Sequence, residues 1–304
     1  MTGLYHRLIH WLDRFLFESC DAAMASCLRI GYAILLLIYI AVWMPDAEMW
    51  FSDSGVVRSE TIQSTGTYPQ WSLLFYLPES LGSPQRVLAV LATHAVLLLF
   101  GCYSRVQAAC IFLWLTSLQH RNPIICDGED TVFRLLAFFM IFLPLDHVFT
   151  VRRYGQNLRR WRDLSVGDRS SAWAMRLVQL QVTALYASTA WSKWQGETWR
   201  DGTALYYVSM MGDVFGRFWL PEGLFAMPLA LRLGTWAVLL LESALPVMLW
   251  IPKLRKLAIC LGLLLHLAIE YSMHLFLFEW IMMLCLLSFV RRTDLKIGGY
   301  GVSA

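Results

Sequence analysis

Charge is what this 304-residue sequence has least of. Charged residues make up 15% of it, against about 25% in soluble domains, and 58% of it is hydrophobic. With a mean hydropathy of +0.52, that balance excludes an ordinary soluble fold and predicts a membrane protein. Length alone would allow two soluble domains. Nearly all of the chain is spent on apolar runs and their connections, however, which predicts one integral domain. The net charge of +3 is small, and no basic patch is interleaved with aromatics, so no nucleic-acid partner is expected.

Other absences narrow the chemistry. The seven cysteines are scattered and no C-x-x-C occurs, which argues against a disulfide framework. No Walker loop, glycine-rich dinucleotide loop, Ser-His-Asp arrangement or H-E-x-x-H is present. The N-terminus lacks the apolar core of a cleavable signal peptide. Instead Leu4–Phe17 alternates apolar and polar residues at helical spacing, and residues 1–19 are expected to lie on the membrane surface as an amphipathic helix.

What the chain does have is apolar runs. A helical span needs roughly 17–25 residues. Helices are predicted at Ala22–Trp43, Val87–Tyr103, Val106–Leu118, Val132–Leu145, Ala172–Trp191, Leu229–Trp250, Leu254–Tyr271 and Leu275–Val290. The third and fourth runs have only about 13 or 14 residues and also fit a re-entrant hairpin. With the N-terminus inside, the inner segments hold 15 of the 25 lysines and arginines and the outer segments six. The positive-inside rule therefore predicts both termini in the cytoplasm, with residues 291–304 as a short tail. The expected fold is an all-α polytopic transmembrane bundle of about eight spans. Its chemically varied loops, Met44–Arg86, Gln119–Thr131 and Ser192–Pro228, then face outward.

Lys193, one of four lysines, stands at the edge of an apolar run among Trp191, Trp194 and Trp199. An ammonium beside hydrocarbon pairs, snorkels or does chemistry, so Lys193 is either an interfacial anchor or a candidate base at the mouth of a cavity. The loop His120–Asp130 carries two turn signals, Asn122-Pro123 and Asp127-Gly128, and three carboxylates, Asp127, Glu129 and Asp130. These hold a hairpin or bind a cationic group, and Arg134 is spaced to neutralise Asp130. Inside the runs sit Arg29, His94, Glu242, His266 and Glu270. Arg29 is expected to snorkel, whereas Glu242 needs a buried partner such as an arginine, histidine or serine. His266, Glu270 and His274 share a helix face. The outer two are about 12 Å apart in rise, too far for one ion; at most a neighbouring pair could ligate with help from another helix, and a hydrogen-bonded polar stripe is the expected reading.

Several of these residues carry a resemblance. Arg121-Asn122-Pro123, Asp127–Asp130, Arg134–Pro144, Gln181, Tyr186, Lys193–Trp199, Gly202, Glu242–Pro246 and His266 resemble, in order and spacing, the HTTM (horizontally transferred transmembrane) domain over roughly residues 20–290. That domain is shared with vitamin K-dependent gamma-carboxylase, in which a lysine before a Trp-x-x-Gly element is thought to deprotonate the vitamin hydroquinone. The resemblance implies Lys193 as base. It also implies a quinone or hydroquinone as ligand. Independently, the convergence of rare polar groups on the outer loops and bundle helices predicts an amphipathic cavity at the outer face, with Lys193 at its mouth, Glu242 and His266 deeper inside, and Asn122, Asp127, Glu129, Asp130 and Trp199 as further candidate binding residues. Two departures stand against protein carboxylation. The large lumenal region of the carboxylase has no counterpart after the last run, and Glu129 stands where the carboxylase has a functional histidine. The domain also occurs in a bacterial protein needed to produce a sporulation-delaying peptide toxin. Two functions follow as expectations for a protein of the bacterial inner membrane: an enzyme acting on a quinone or lipid-like substrate, or a non-enzymatic helper in export or maturation of a secreted peptide.

Overall fold

The computed structural model describes residues 2–65, 71–78, 82–146, 149–151, 169–212, 214–219, 223 and 227–291. These are helical apart from loops and one antiparallel pair of three-residue strands, Ser19–Asp21 (β1) and Arg169–Ser171 (β2). The long helices lie one under each predicted run: Ala22–Trp43 (α2), Pro84–Leu99 (α5), Ser104–Arg121 (α6), Gly128–Met140 (α7), Trp173–Gln195 (α8), Pro228–Met248 (α11), Arg255–Ser272 (α12) and Phe278–Leu286 (α13). Between them fall Thr2–Phe17 (α1), Ala47–Phe51 (α3), Ser59–Thr65 (α4), Glu197–Arg200 (α9) and Ala204–Ser209 (α10). Residues 292–304 of the expected tail, and 152–168 of the basic inner loop, lie outside the described residues.

Among the described residues two stretches, Ala23–Trp43 and Pro228–Met248, are long and apolar enough to cross a membrane, while Pro84–Leu99 and Phe278–Phe289 are apolar but shorter. The third predicted run is extended at both ends by polar residues. α6 has 18 residues, about 27 Å at the usual rise, because Ser104, Arg105 and Gln119–Arg121 continue the helix. α7 keeps 13 residues.

The chain divides into two compact units, Met1–Arg176 and Leu177–Ala304. In the first, α2 packs on α5, α5 on α6 and α6 on α7. Each helix turns one apolar face inward: Leu28, Tyr32 and Leu36 of α2, Leu88, Leu91 and Leu98 of α5, Ile111, Leu115 and Leu118 of α6. α7 meets α2 through aromatics. The Tyr32 hydroxyl donates to the Phe133 carbonyl at 3.0 Å, and the rings of Tyr32 and Tyr39 both touch that of Phe133. Arg176 anchors α1 by donating to the Phe15 carbonyl while lying over the Phe15 ring. That helix leaves Tyr5, Trp11 and Phe17 exposed.

Arg29 corrects the sequence reading. It does not snorkel: the residue is 0% exposed. Its Nη1 donates to the carbonyls of Leu98 and Leu99 at 2.6 and 2.7 Å, and Nη2 donates to that of Phe149 at 2.7 Å. Carbonyls of a helix's last turn run short of N–H donors; that of Leu98 accepts one from Gly101 and has room for a second, and a positive charge suits the negative end of the helix dipole. An arginine fork therefore caps α5 from inside the unit. Space for it depends on Gly101, whose φ of +72° favours glycine. A Cβ there would stand 2.6 Å from Thr150 Cγ2 and 3.0 Å from Arg29 Nη1.

In the second unit, α11 packs on α12 and α12 on α13, with the short α9 and α10 against α11. The helices of this unit are also joined by side-chain hydrogen bonds and ion pairs.

Candidate acid–base site

Lys193 lies in the last turns of α8, and Glu242 lies in α11 one turn before Pro246. Pro246 has no N–H to give the Glu242 carbonyl, which loosens the helix at this carboxylate. The Lys193 Nζ stands 2.5 Å from both Glu242 oxygens and 4.6 Å from the centroid of the Trp199 ring. The lysine is the more open partner, with side-chain exposures of 23% and 8%. The partner of Glu242 is thus a lysine, in place of the arginine, histidine or serine anticipated from sequence. Next to it Trp194 Nε1 donates to Ser243 Oγ at 2.9 Å, and two to three turns away Trp250 Nε1 donates to Thr183 Oγ1 at 2.9 Å. Thr183 meets Trp250 while Lys193 and Trp194, later on α8, meet the earlier residues Glu242 and Ser243, so these segments run antiparallel.

The Trp199-x-x-Gly202 element places the aromatic beneath the ammonium. Gly202 has φ +84°, and a Cβ there would come within 2.4 Å of Arg232 Cγ. Trp236 Nε1 donates to the Arg200 carbonyl at 3.2 Å, tying the turn to α11. Trp191 and Trp194 present exposed ring faces at the same end of α8.

Deeper in the unit a second polar chain connects three helices. The Tyr186 hydroxyl of α8 is 2.6 Å from His266 Nε2 of α12, and His266 Nδ1 bonds Glu279 Oε2 of α13. Both imidazole nitrogens of His266 are therefore engaged within the unit. The stripe His266, Glu270, His274 is divided among separate partners. Glu270 Oε1 accepts from Arg217 Nη1 and from Trp280 Nε1, while His274 is exposed and bonds Val214 through its backbone N–H. Among the described residues no group of three or more His, Cys, Asp or Glu is placed to hold a metal ion.

The loop candidates belong to the first unit, and Asn122 and Asp130 are occupied by its own chain. Asn122 donates to the Trp50 carbonyl at 2.9 Å and accepts from the Ile124 N–H, while Arg121 donates to Ser52 O, Asp53 Oδ1 and Val57 O. Asp53 is held below the usual carboxylate range by hydrogen bonds from Ser59, with Arg121 adding to the effect. Asp130 Oδ1 accepts from the Tyr39 hydroxyl at 2.5 Å and Oδ2 from the Asp127 N–H at 2.8 Å, as half of a capping box on α7. Arg134, expected to pair with Asp130, bonds His120 Nε2 at 3.1 Å, and His120 Nδ1 donates to the Trp71 carbonyl. Asp127 is exposed. Burial pushes the Glu129 carboxyl up to about 6, helped by Asp130 and Asp127.

Sequence reasoning overlooked Glu279. A single acid within the apolar run Leu275–Val290 was the available signal, since ionisable groups are rare at such positions. Tyr186 entered only through the resemblance, because nothing in a phenol's position along a helix reveals a histidine on another one. Compared with family models, with curated proteins and with solved structures, the chain matches none.

Proposed function

We propose that the protein is a multi-pass enzyme of the HTTM type in a bacterial inner membrane, with about eight spans and cytoplasmic termini. Its task is to remove a proton from an acidic hydroxyl of a quinol-like or other lipid-soluble substrate at the outer face. The observation that carries this reading is the Lys193–Glu242 pair. Its ammonium is the more open partner, and its carboxylate lies behind as a proton acceptor. The positive-inside count and the helices under each apolar run support the topology.

The chemistry follows from the order of the groups. Lys193 gives a proton to Glu242 and takes one from the substrate hydroxyl. One O–H bond breaks, one forms on the carboxylate, and the restored ammonium faces the new oxyanion. Trp199 keeps the ammonium in place through its ring face. The flat exposed rings of Trp191 and Trp194 suit a planar aromatic substrate.

Mass spectrometry of small molecules co-purifying with wild type and Lys193→Ala tests the reading. A quinone retained by the wild type and depleted in the variant is expected. No quinone in either, or equal amounts in both, sinks it. The helper in peptide export or maturation then becomes the better assignment, with Lys193 as an interfacial anchor.

A further inference from the structure

The second unit contains more acid–base machinery than one proton transfer uses. Tyr186, His266 and Glu279 are 3%, 4% and 1% exposed, and they make one hydrogen-bonded row across α8, α12 and α13. A carboxylate that accepts from Nδ1–H fixes the imidazole tautomer, leaving Nε2 as an acceptor for the phenol. The row therefore has a direction, Tyr186 O–H to His266 Nε2 and His266 Nδ1–H to Glu279. A purely structural link between three helices would need no charged terminus, and burying one is costly.

Its open end is Tyr186, which lies on the same face of α8 as Lys193, two turns or about 10.5 Å of rise away. The ionisable groups acting on the Tyr186 phenol are Glu242 of α11 and Glu279 and Cys285 of α13. The row thus ends within electrostatic reach of the carboxylate that pairs with Lys193.

We infer that Tyr186, His266 and Glu279 form a proton relay that takes up the proton collected at Lys193–Glu242 and holds it inside the unit. Through a bridging water, the Glu242 carboxylic acid gives its proton to the Tyr186 oxygen as the original phenol proton passes to His266 Nε2. One O–H bond is lost at Glu242, the phenol is restored, and one N–H bond forms. No electrons are transferred, and the imidazolium is held by the Glu279 carboxylate. Glu242 returns to the carboxylate form, ready for another proton. Tyr186, His266 and Glu279 are positioning and relay residues, and the inference rests on the acid–base reading of Lys193–Glu242 proposed above.

The probe for the test is para-nitrophenol, whose ionised form is coloured, added to the full-length protein in detergent at a pH low enough that the free phenol is protonated. Absorbance reports whether the bound phenol is ionised, and nitrogen NMR of labelled histidine reports the state of His266. In the wild type the bound probe should be ionised and both His266 nitrogens should become protonated on binding. Glu279→Gln keeps a hydrogen-bond acceptor but removes the charge. Tyr186→Phe keeps the His266–Glu279 bond but removes the phenol. Both variants should still ionise the probe while His266 stays neutral, and the second serves if the first does not fold. Ionised probe beside an unchanged His266 in the wild type overturns the relay and leaves the Lys193–Glu242 couple standing. So does protonation of His266 in either variant. Equal ionisation in Lys193→Met overturns the role of Lys193 but not the relay, provided that His266 is protonated. A wild type that neither binds nor ionises the probe overturns both.

Discussion

Lys193 and Glu242 face each other across the gap between α8 and α11 with the ammonium 2.5 Å from both carboxylate oxygens. A buried carboxylate is tolerated only when paired, and removing one partner of such a pair is far more damaging than replacing both. Lys193→Met should therefore destabilise the protein by roughly 3 kcal/mol, the low end for a buried pair because the lysine is partly open. The double variant Lys193→Met/Glu242→Leu should recover most of that loss. Thermal unfolding in detergent measures both, and a double variant no more stable than the single one would show that the pair is not what makes the lysine necessary.

Arg29 makes a prediction in the first unit. Arg29→Met leaves the carbonyls of Leu98, Leu99 and Phe149 without their guanidinium donor, at a cost of roughly 2–4 kcal/mol. Arg29→Lys should recover less than half, because a point charge cannot reproduce a planar fork over three acceptors. Equal stability of Lys and Arg at this position would mean that charge alone holds the end of α5.

Topology can be read by thiol labelling, but not from Cys126. Its Sγ bonds the carbonyls of Gln119 and Asn122, and burial pushes the thiol up to about 12. The reactive thiolate is then on the order of one part in ten thousand at about pH 8. Cys126 should react with an impermeant maleimide only slowly. Ile124→Cys, at a position 71% exposed, should label quickly from outside in intact cells. Labelling only after lysis would reverse the proposed orientation.

Acidity gives a fourth check, at a residue preceding the apolar run Val132–Leu145. Burial raises Glu129 from 4.5 to about 6 in the folded state, so folding favours its protonated form. The associated stability is complete below about pH 4.5 and is lost as pH rises through about 6. Glu129→Gln should stabilise the protein by about 1–2 kcal/mol at neutral pH and flatten the profile across that window. Asp53 has the opposite sign: its stability is present above the usual carboxylate value and is lost on acidification. It is small, because the side chain is exposed. A Glu129→Gln profile parallel to wild type between pH 4.5 and 6 would assign the slope elsewhere.

Composition and apolar periodicity were enough to place a helix under each of the eight runs, because helix formation and its inward face are local properties repeated every turn. Lys193, Glu242 and His266 were also legible, since an ionisable group inside an apolar run is conspicuous wherever the chain takes it. Partnership was not. Arg29 reads as a snorkelling side chain because its neighbours are apolar, and only the packing of α2 on α5 brings the Leu98 and Leu99 carbonyls to its guanidinium. Asp130 reads as a partner for Arg134 at helical spacing, yet α2 supplies Tyr39 instead. Glu242 needed a partner on another helix, and the antiparallel meeting of α8 and α11 selected Lys193, 49 residues away. The sequence by itself determined which groups were costly to bury. The tertiary structure decided which of them meet, because hydrogen bonds and ion pairs depend on ångström distances between helices that no local spacing encodes.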